Sequence, residues 1–186
     1  GPNYEPRERD DVYDVHGHYV LPGLIDLHAH GAVGADFSDK DFPVREAVDF
    51  FYSHGVTAIY PTLNSRPWAD MKQALSQAAH LCGSGPGARL FRGIHCEGPF
   101  LNPDMSGAAP TEAFCQPGTQ GWNVLQEAAD GLIRVVTLAP ELEGALEVIR
   151  SAFRDGVLVS AGHSNASYET MTEAVDAGLR HVTHLF

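Results

Sequence analysis

Pro22-Gly23-Leu24-Ile25-Asp26-Leu27-His28-Ala29-His30-Gly31 is the stretch whose reading decides the fold. The apolar run over residues 24–28 predicts a strand, and side chains alternate across a strand, so His28 and His30 project to the same side. Leu24, Ile25 and Leu27 are expected to bury it, and Gly31 to end it in a loop. Two imidazoles held one above the other can share a divalent ion, and imidazole nitrogen suits zinc and its neighbours at roughly 2.0–2.1 Å. The same pair can also be two polar residues at a strand end, so partners elsewhere in the chain must decide.

Downstream, the pattern repeats. Val44, Ala47, Val48 and Phe51 follow the i, i+3, i+4, i+7 rule of a helix, and Gly55 supplies its stop. Residues 56–61 read as a buried strand, with Thr62, Asn64 and Ser65 in the following loop. Ser65 is placed to cap a helix whose inner face is Trp68, Met71, Leu75, Ala78 and Cys82. A third strand over 90–95 runs into Glu97-Gly98-Pro99-Phe100, and 101–118 is a long irregular segment of a kind that is often functional. Trp122, Leu125 and Ala129 predict a helix, and 133–138 a fourth strand. Leu142, Leu146, Ile149 and Phe153 form the next helical stripe, stopped by Gly156. The fifth strand, 157–161, ends at Gly162-His163-Ser164; Met171, Ala174, Val175 and Gly178 repeat the helical pattern before a sixth strand over 179–184.

Three joins share one form: His54-Gly55-Val56, Asp155-Gly156-Val157 and Ala177-Gly178-Leu179 each put a glycine between a helix end and an apolar strand start. Strand and helix alternate with the roughly 30-residue period of parallel βαβ units. Right-handed crossovers give a barrel or a doubly wound sheet. No glycine-rich dinucleotide or phosphate fingerprint follows a strand, which favours the α/β class with a (β/α)8 TIM-type barrel, about six of whose units are present.

Candidate ligands then fall into place: His28 and His30 at the first strand end, Glu97 past the third, His163 past the fifth, His184 at the end of the sixth. Barrel active sites are built at the carboxyl ends of strands. These five donors suit one metal with spare ligands, or two metals about 3.5–4 Å apart with a bridging carboxylate. Asp26, two residues before His28, and His95, two before Glu97, point inward and could support the ligands or simply be buried and hydrogen-bonded. His181, His54 and His80 read as structural or solvated, His181 pointing away from His184's side of the strand. Cys96 reads as an outward-facing apolar packer, and Arg66 as a cation in a strand-end loop, solvated at a helix start.

The rest of the composition narrows the setting. The formal charge of -12 excludes nucleic acid and anionic membrane surfaces as partners. Cys82, Cys96 and Cys115 are few and widely spaced, and no apolar run reaches membrane length, which points to a reduced, cytoplasmic protein. Gly1-Pro2 reads as a tag scar, and 12–21 as a hairpin turning at Gly17, with His16 and His18 as surface histidines distant from any carboxylate.

These motifs resemble a known family. The first-strand segment, His95-Cys96-Glu97-Gly98-Pro99-Phe100, Thr137-Leu138-Ala139-Pro140-Glu141, Gly162-His163-Ser164 and Thr183-His184-Leu185-Phe186 are similar to the N-acetylglucosamine-6-phosphate deacetylase family of the amidohydrolase superfamily. The resemblance implies a small β-sandwich domain, of which 1–20 would be a remnant, and an incomplete (β/α) barrel catalytic domain over 21–186. It implies a homodimer, or completion by a further chain segment, and hydrolysis of an amino-sugar phosphate's acetamide to acetate and amine. Glu97, His163 and His184 fall on the family's principal metal ligands, and the retained His28 and His30 imply the two-metal type. The family's catalytic aspartate, at the end of the eighth strand, would lie beyond Phe186. Hydrolases of this barrel type often bridge two metals with a carboxylated lysine; only Lys40 and Lys72 are present, neither at a strand end, which leaves Glu97 for that role. One departure stands out: Ser106-Gly107-Ala108-Ala109-Pro110 occupies the place of a basic residue followed by Gly-Ala-His-Pro. A related amidohydrolase acting on N-acyl amino acids or cyclic amides, and a non-catalytic metal-binding fragment, are the alternatives.

Overall fold

A computed structural model describes residues 5, 7–83 and 85–185. Gly1-Pro2, read above as a tag scar, and Phe186 lie outside the described residues. Strand β1 spans Leu24–Ala29 and is followed by a short antiparallel hairpin, β2 (Gly31–Ala32) and β3 (Ala35–Asp36). Then come α1 (Val44–Ser53), β4 (Val56–Asn64), α2 (Trp68–Gly83) and β5 (Ile94–Glu97). The segment after β5 holds two single 3-10 turns before α3 (Thr119–Ala128) and β6 (Ile133–Leu138). The described chain closes with α4 (Ala145–Arg154), β7 (Leu158–Ala161), α5 (Tyr168–Ala177) and β8 (Leu179–Val182).

The main sheet has six parallel strands in the order β1-β4-β5-β6-β7-β8. Each new strand is added outside the last and the order never reverses. A doubly wound sheet reverses at a switch point, whereas a barrel winds in one direction. The helices pack in the same sequence, α2 on α3, α3 on α4 and α4 on α5. This is a half-barrel, and its core lies between sheet and helices: Ile133, Val136 and Leu138 of β6 pack with Trp122, Leu125, Val148 and Ile149, all fully buried. Burying one such side chain stabilises by roughly 1.5–3 kcal/mol. Trp122 keeps its indole N–H satisfied on Asp155, at 2.9 Å. The three glycine joins do what their sequence form predicts. Gly55, Gly156 and Gly178 hold positive φ of 77°, 75° and 127°, a backbone that ends helices and that other residues enter only under strain.

Several expectations are corrected. No strand forms over 12–21; His16 and Gly17 make a turn, and Val12, Tyr19 and Leu21 are exposed. An apolar alternation without a sheet to join does not hold a hairpin. His16 also lies 3.4 Å from the Asp14 carboxylate, so it is not distant from one. Leu24 and Ile25 are 64% and 66% exposed rather than buried, because among the described residues β1 is an edge strand paired only with β4. The loop after β1 contains the β2–β3 hairpin. Strand β4 runs on through Thr62, Leu63 and Asn64, which pair with His95, Cys96 and Glu97; ladder pairing overrides their local polarity. Ser65 is therefore not a helix cap, and its hydroxyl donates to the Glu97 carbonyl at 3.1 Å. The regular strand β5 begins only at Ile94, but Phe91 already bridges Ile59 of β4 in parallel, and Leu90 and Phe91 are buried.

The core face of α4 is Ala145, Val148, Ile149 and Ala152. Leu142 precedes the helix, and Phe153 is half exposed beneath the Arg180 guanidinium, 5.2 Å from its ring centre. Helix α5 likewise buries Ala174 and Ala177 and exposes Val175. Strand β8 ends at Val182, so His184 sits past the strand rather than on it.

Candidate metal centre

Four strand ends build the site. Alternation along β1 brings His28 and His30 together, their Nε2 atoms 3.2 Å apart. From the end of β5 Glu97 projects between them and the far side of the sheet, and it is only 4% exposed. His30 Nε2 lies 3.2 Å from its Oε2 and His28 Nε2 3.6 Å from its Oε1. From β7 and β8, His163 and His184 each place Nε2 3.1 Å from the same Oε1. The five candidate ligands thus meet around one carboxylate. They form two groups sharing Glu97: His28, His30 and Glu97, and Glu97, His163 and His184, with the donor atoms of each within 4.8 Å of one another.

The rings are aimed by their other nitrogens. His30 Nδ1 donates to the Thr62 carbonyl at 3.2 Å, and His163 Nδ1 to the Met105 carbonyl at 2.9 Å. A carbonyl only accepts, so in the neutral ring the proton sits on Nδ1 and the Nε2 lone pair faces the carboxylate. His163 and His184 carry this chemistry on left-handed backbone, φ 52° and 33°. For a residue with a Cβ that conformation costs roughly 1–2 kcal/mol and persists where the surroundings over-determine it.

Electrostatics test whether a cation fits. Burial pushes the Glu97 carboxyl up, but hydrogen bonding to His30 and the nearby imidazoles outweigh it and hold it well below the usual carboxylate range. The hydrogen bond to Glu97 raises His30, whereas burial lowers His28. The two neighbours diverge because His30 contacts the carboxylate more closely. His28 Nδ1 is buried with no hydrogen-bond partner. Lone pairs and an anion converging on one point repel unless positive charge lies among them. Imidazole nitrogen with carboxylate oxygen is the donor set of zinc and similar ions, so the residues fit a divalent metal.

Asp26 reaches the His28 backbone N–H at 3.0 Å, not its ring, so it shapes the strand end. His95 is 1% exposed; its Nδ1 donates to the Leu27 carbonyl at 2.8 Å, and its Nε2 meets Thr137 Oγ1 at 2.7 Å. From there a buried hydroxyl chain crosses the sheet's inner face: Thr137 to Thr183 at 2.7 Å, Thr183 to Ser160 at 2.6 Å, Ser160 to His181 Nδ1 at 3.0 Å. His181 is therefore on the inner face with Thr183, and counting alternation back from His184 fails because the chain leaves the strand at Val182. Sequence reasoning missed these hydroxyls; their only signal is a small hydroxyl residue within one position of a strand end.

Arg66 is not simply solvated. It is bonded to Asp36, at 3.2 Å, and to Ser38, tying the β2–β3 hairpin to the loop after β4. Cys96 faces the core, fully buried, its thiol pushed up by burial and donating to the Gly98 carbonyl at 3.0 Å. His54 caps α1 through the Phe50 carbonyl, and His80 lies on α2. Over the centre a cleft of about 340 Å³ is walled by Asn64 and by Gly107, Ala108 and Ala109 of the long segment. Its wall is apolar at Ala109, where the family resemblance places a histidine. No helix among the described residues is long and apolar enough to cross a membrane.

Comparison with known proteins agrees with this geometry. N-acetylglucosamine-6-phosphate deacetylase of Bos taurus is 37% identical over 188 aligned positions, covering 98% of this chain and 46% of the relative. N-acetylgalactosamine-6-phosphate deacetylase of Escherichia coli O157:H7 is 36% identical, covering 90% of this chain and 45% of its own. The crystal structure of N-acetyl-D-glucosamine-6-phosphate deacetylase from Mycobacterium smegmatis superposes with a TM-score of 0.80 at 34% identity, over 89% of this chain and 46% of that one. The chain spans just under half the length of the relatives it matches. The family model described as "Amidohydrolase family" matches residues 19–186, almost the whole chain, and the protein belongs to that family of metal-dependent hydrolases.

Proposed function

We propose that this chain carries the metal-holding half of a deacetylase that hydrolyses the acetamide of an N-acetylated amino-sugar phosphate to acetate and the free amine. The observation that supports it is the convergence of His28, His30, Glu97, His163 and His184 at one rim, in a chain similar to deacetylases over most of its length. In this reading Glu97 bridges two seats, His28 and His30 complete one, and His163 and His184 the other. Zinc is the proposed ion, given the nitrogen and oxygen donors. When bound, such an ion polarises a carbonyl and makes water a stronger acid at neutral pH. The chain's own residues hold and orient. The Nδ1 bonds to Thr62 and Met105 fix two rings, and the Gly107–Ala109 wall offers an apolar surface for the acetyl methyl. Asn64, at the same rim, offers an amide donor to a substrate oxygen.

Residues 1–20 are proposed as part of a second, small β domain and 21–186 as barrel, with a homodimer or a further chain segment covering the exposed edges β1 and β8. A cytoplasmic setting agrees with three free cysteines. The sugar is left open between gluco and galacto forms, because relatives of both kinds are about equally similar.

Acetate release from zinc-loaded protein tests the reading. N-acetylglucosamine-6-phosphate and its galacto epimer are compared with the unphosphorylated sugar and with N-acyl amino acids. Release from a phosphorylated sugar, abolished by chelation, supports it. Turnover of the N-acyl amino acids alone points to the related amidohydrolase, and bound metal with no turnover points to a non-catalytic role.

A further inference from the structure

Glu141 belongs to neither ligand group, yet its carboxylate is the meeting point of three strand-end loops. It follows β6, after Ala139 and Pro140. Its Oε2 accepts from Ser164 Oγ at 2.6 Å, and its Oε1 from the Asn165 backbone N–H at 2.9 Å, both in the loop after β7. The same Oε1 accepts from Asn102 Nδ2, in the loop after β5, at 2.8 Å. Asn102 also bonds Asn165 Oδ1 at 3.0 Å, and its backbone N–H donates to the His163 carbonyl at 3.1 Å. These bonds flank a residue in a conformation it would not hold unaided, His163 at φ 52°. Burial pushes the Glu141 carboxyl up, but its hydrogen bonds to Ser164, Asn102 and Asn165 hold it below its ordinary range, so the anion is the form that fits.

We propose that Glu141 is a positioning residue for the Glu97–His163–His184 seat: by lashing the loops after β5, β6 and β7 together it fixes the left-handed turn that aims His163 at Glu97. This rests on the metal reading above. Glu141 is in neither ligand group and does not line the cleft; it acts through Ser164 and Asn165 on the residue before them. Among the described residues no bond joins it to the remote seat, His28 on β1 and His30 just past it.

The test measures zinc affinity by competition with a chelator, together with the visible absorption of the cobalt-substituted protein, in Glu141→Ala, Glu141→Gln and His163→Ala. Glu141→Ala is expected to weaken one ion by roughly 10–100-fold, the usual effect of losing a partner that orients a ligand, to alter the cobalt spectrum, and to leave the other ion bound as before. Glu141→Gln, which keeps an oxygen for Asn165 and Asn102 and can donate to Ser164 Oγ, is expected to recover most of the loss. If Glu141→Ala holds both ions as tightly as the parent with the parent spectrum, the proposal is overturned, whatever its unfolding temperature. Should Glu141→Ala not fold, Ser164→Ala removes one of the bonds: a weakening of the same ion supports the proposal and an unchanged affinity overturns it. His163→Ala separates the two levels. If it too leaves both affinities intact, the metal reading itself fails; if it removes an ion that Glu141→Ala retains, only the positioning role fails.

Discussion

Acid should loosen this fold through His95. The ring is enclosed between β1, β5 and β6, donating to Leu27 and accepting from Thr137, a pairing that needs the neutral form. Burial is the main cause that lowers its pKa from 6.5 to about 4, with the neighbouring His28 adding to it. In the unfolded chain the ring takes up a proton near 6.5, so between these values the unfolded state binds more protons and stability falls as pH falls. The slope for one such group is about 1.4 kcal/mol per pH unit, so the shift from 6.5 to about 4 is worth about 3 kcal/mol in total. Neighbours contribute as well. His28, also lowered, adds loss in the same direction, and His30, raised by Glu97, opposes it. Glu97 loses its contribution only below the ordinary carboxylate range. Comparison with His95→Gln, whose amide can keep both hydrogen bonds, isolates the one ring. Urea unfolding of metal-free protein across pH 6.5 to 4.5 should give the parent an extra loss of about 2 kcal/mol relative to the variant. Parallel pH profiles for the two proteins would refute the reasoning.

Glu97→Gln removes the one donor common to both ligand groups, so elemental analysis after gel filtration should find both seats emptied, whereas His28→Ala should empty only one. Equal losses in the two variants would contradict a shared carboxylate. Gly98→Ala puts a methyl group where Ser65 Oγ stands and forces a side chain onto φ 89°, directly after Glu97. It should destabilise the metal-free protein by about 1–3 kcal/mol, read as a lower urea midpoint at unchanged slope, and an unchanged midpoint would show that Ser65 gives way freely.

How far the sequence speaks depends on how local each feature is. The facing of His28 and His30 follows from strand alternation alone, and the glycine joins follow from one residue's conformational freedom. The inner face of α1 and the bounds of β6 are legible for the same reason. Alternation fails at His181, because it presumes that β8 continues to His184, and the chain turns left-handed there instead. The stripe drawn on α4 misses because Leu142 precedes the helix and the face turned to the core is Ala145, Val148, Ile149 and Ala152, which leaves Phe153 half exposed under Arg180. Exposure of Leu24 and Ile25 depends on which strands flank β1, a property of the sheet and not of the segment. Least legible are the hydroxyl chain from Thr137 to Ser160 and the Glu141 contacts. Each joins residues at least 21 apart in sequence, and no local pattern marks them.

Because each parallel strand pairs with the one synthesised just before it, the sheet can grow in step with translation, without waiting for a distant partner. The imidazoles at the end of β1 acquire their carboxylate once β5 has docked, before any of β6 to β8 has been made. The second pair arrives only with the last described strand, so the rim is furnished in two instalments. A nascent chain paused between β5 and β7 would already present the earlier group of donors to the solvent.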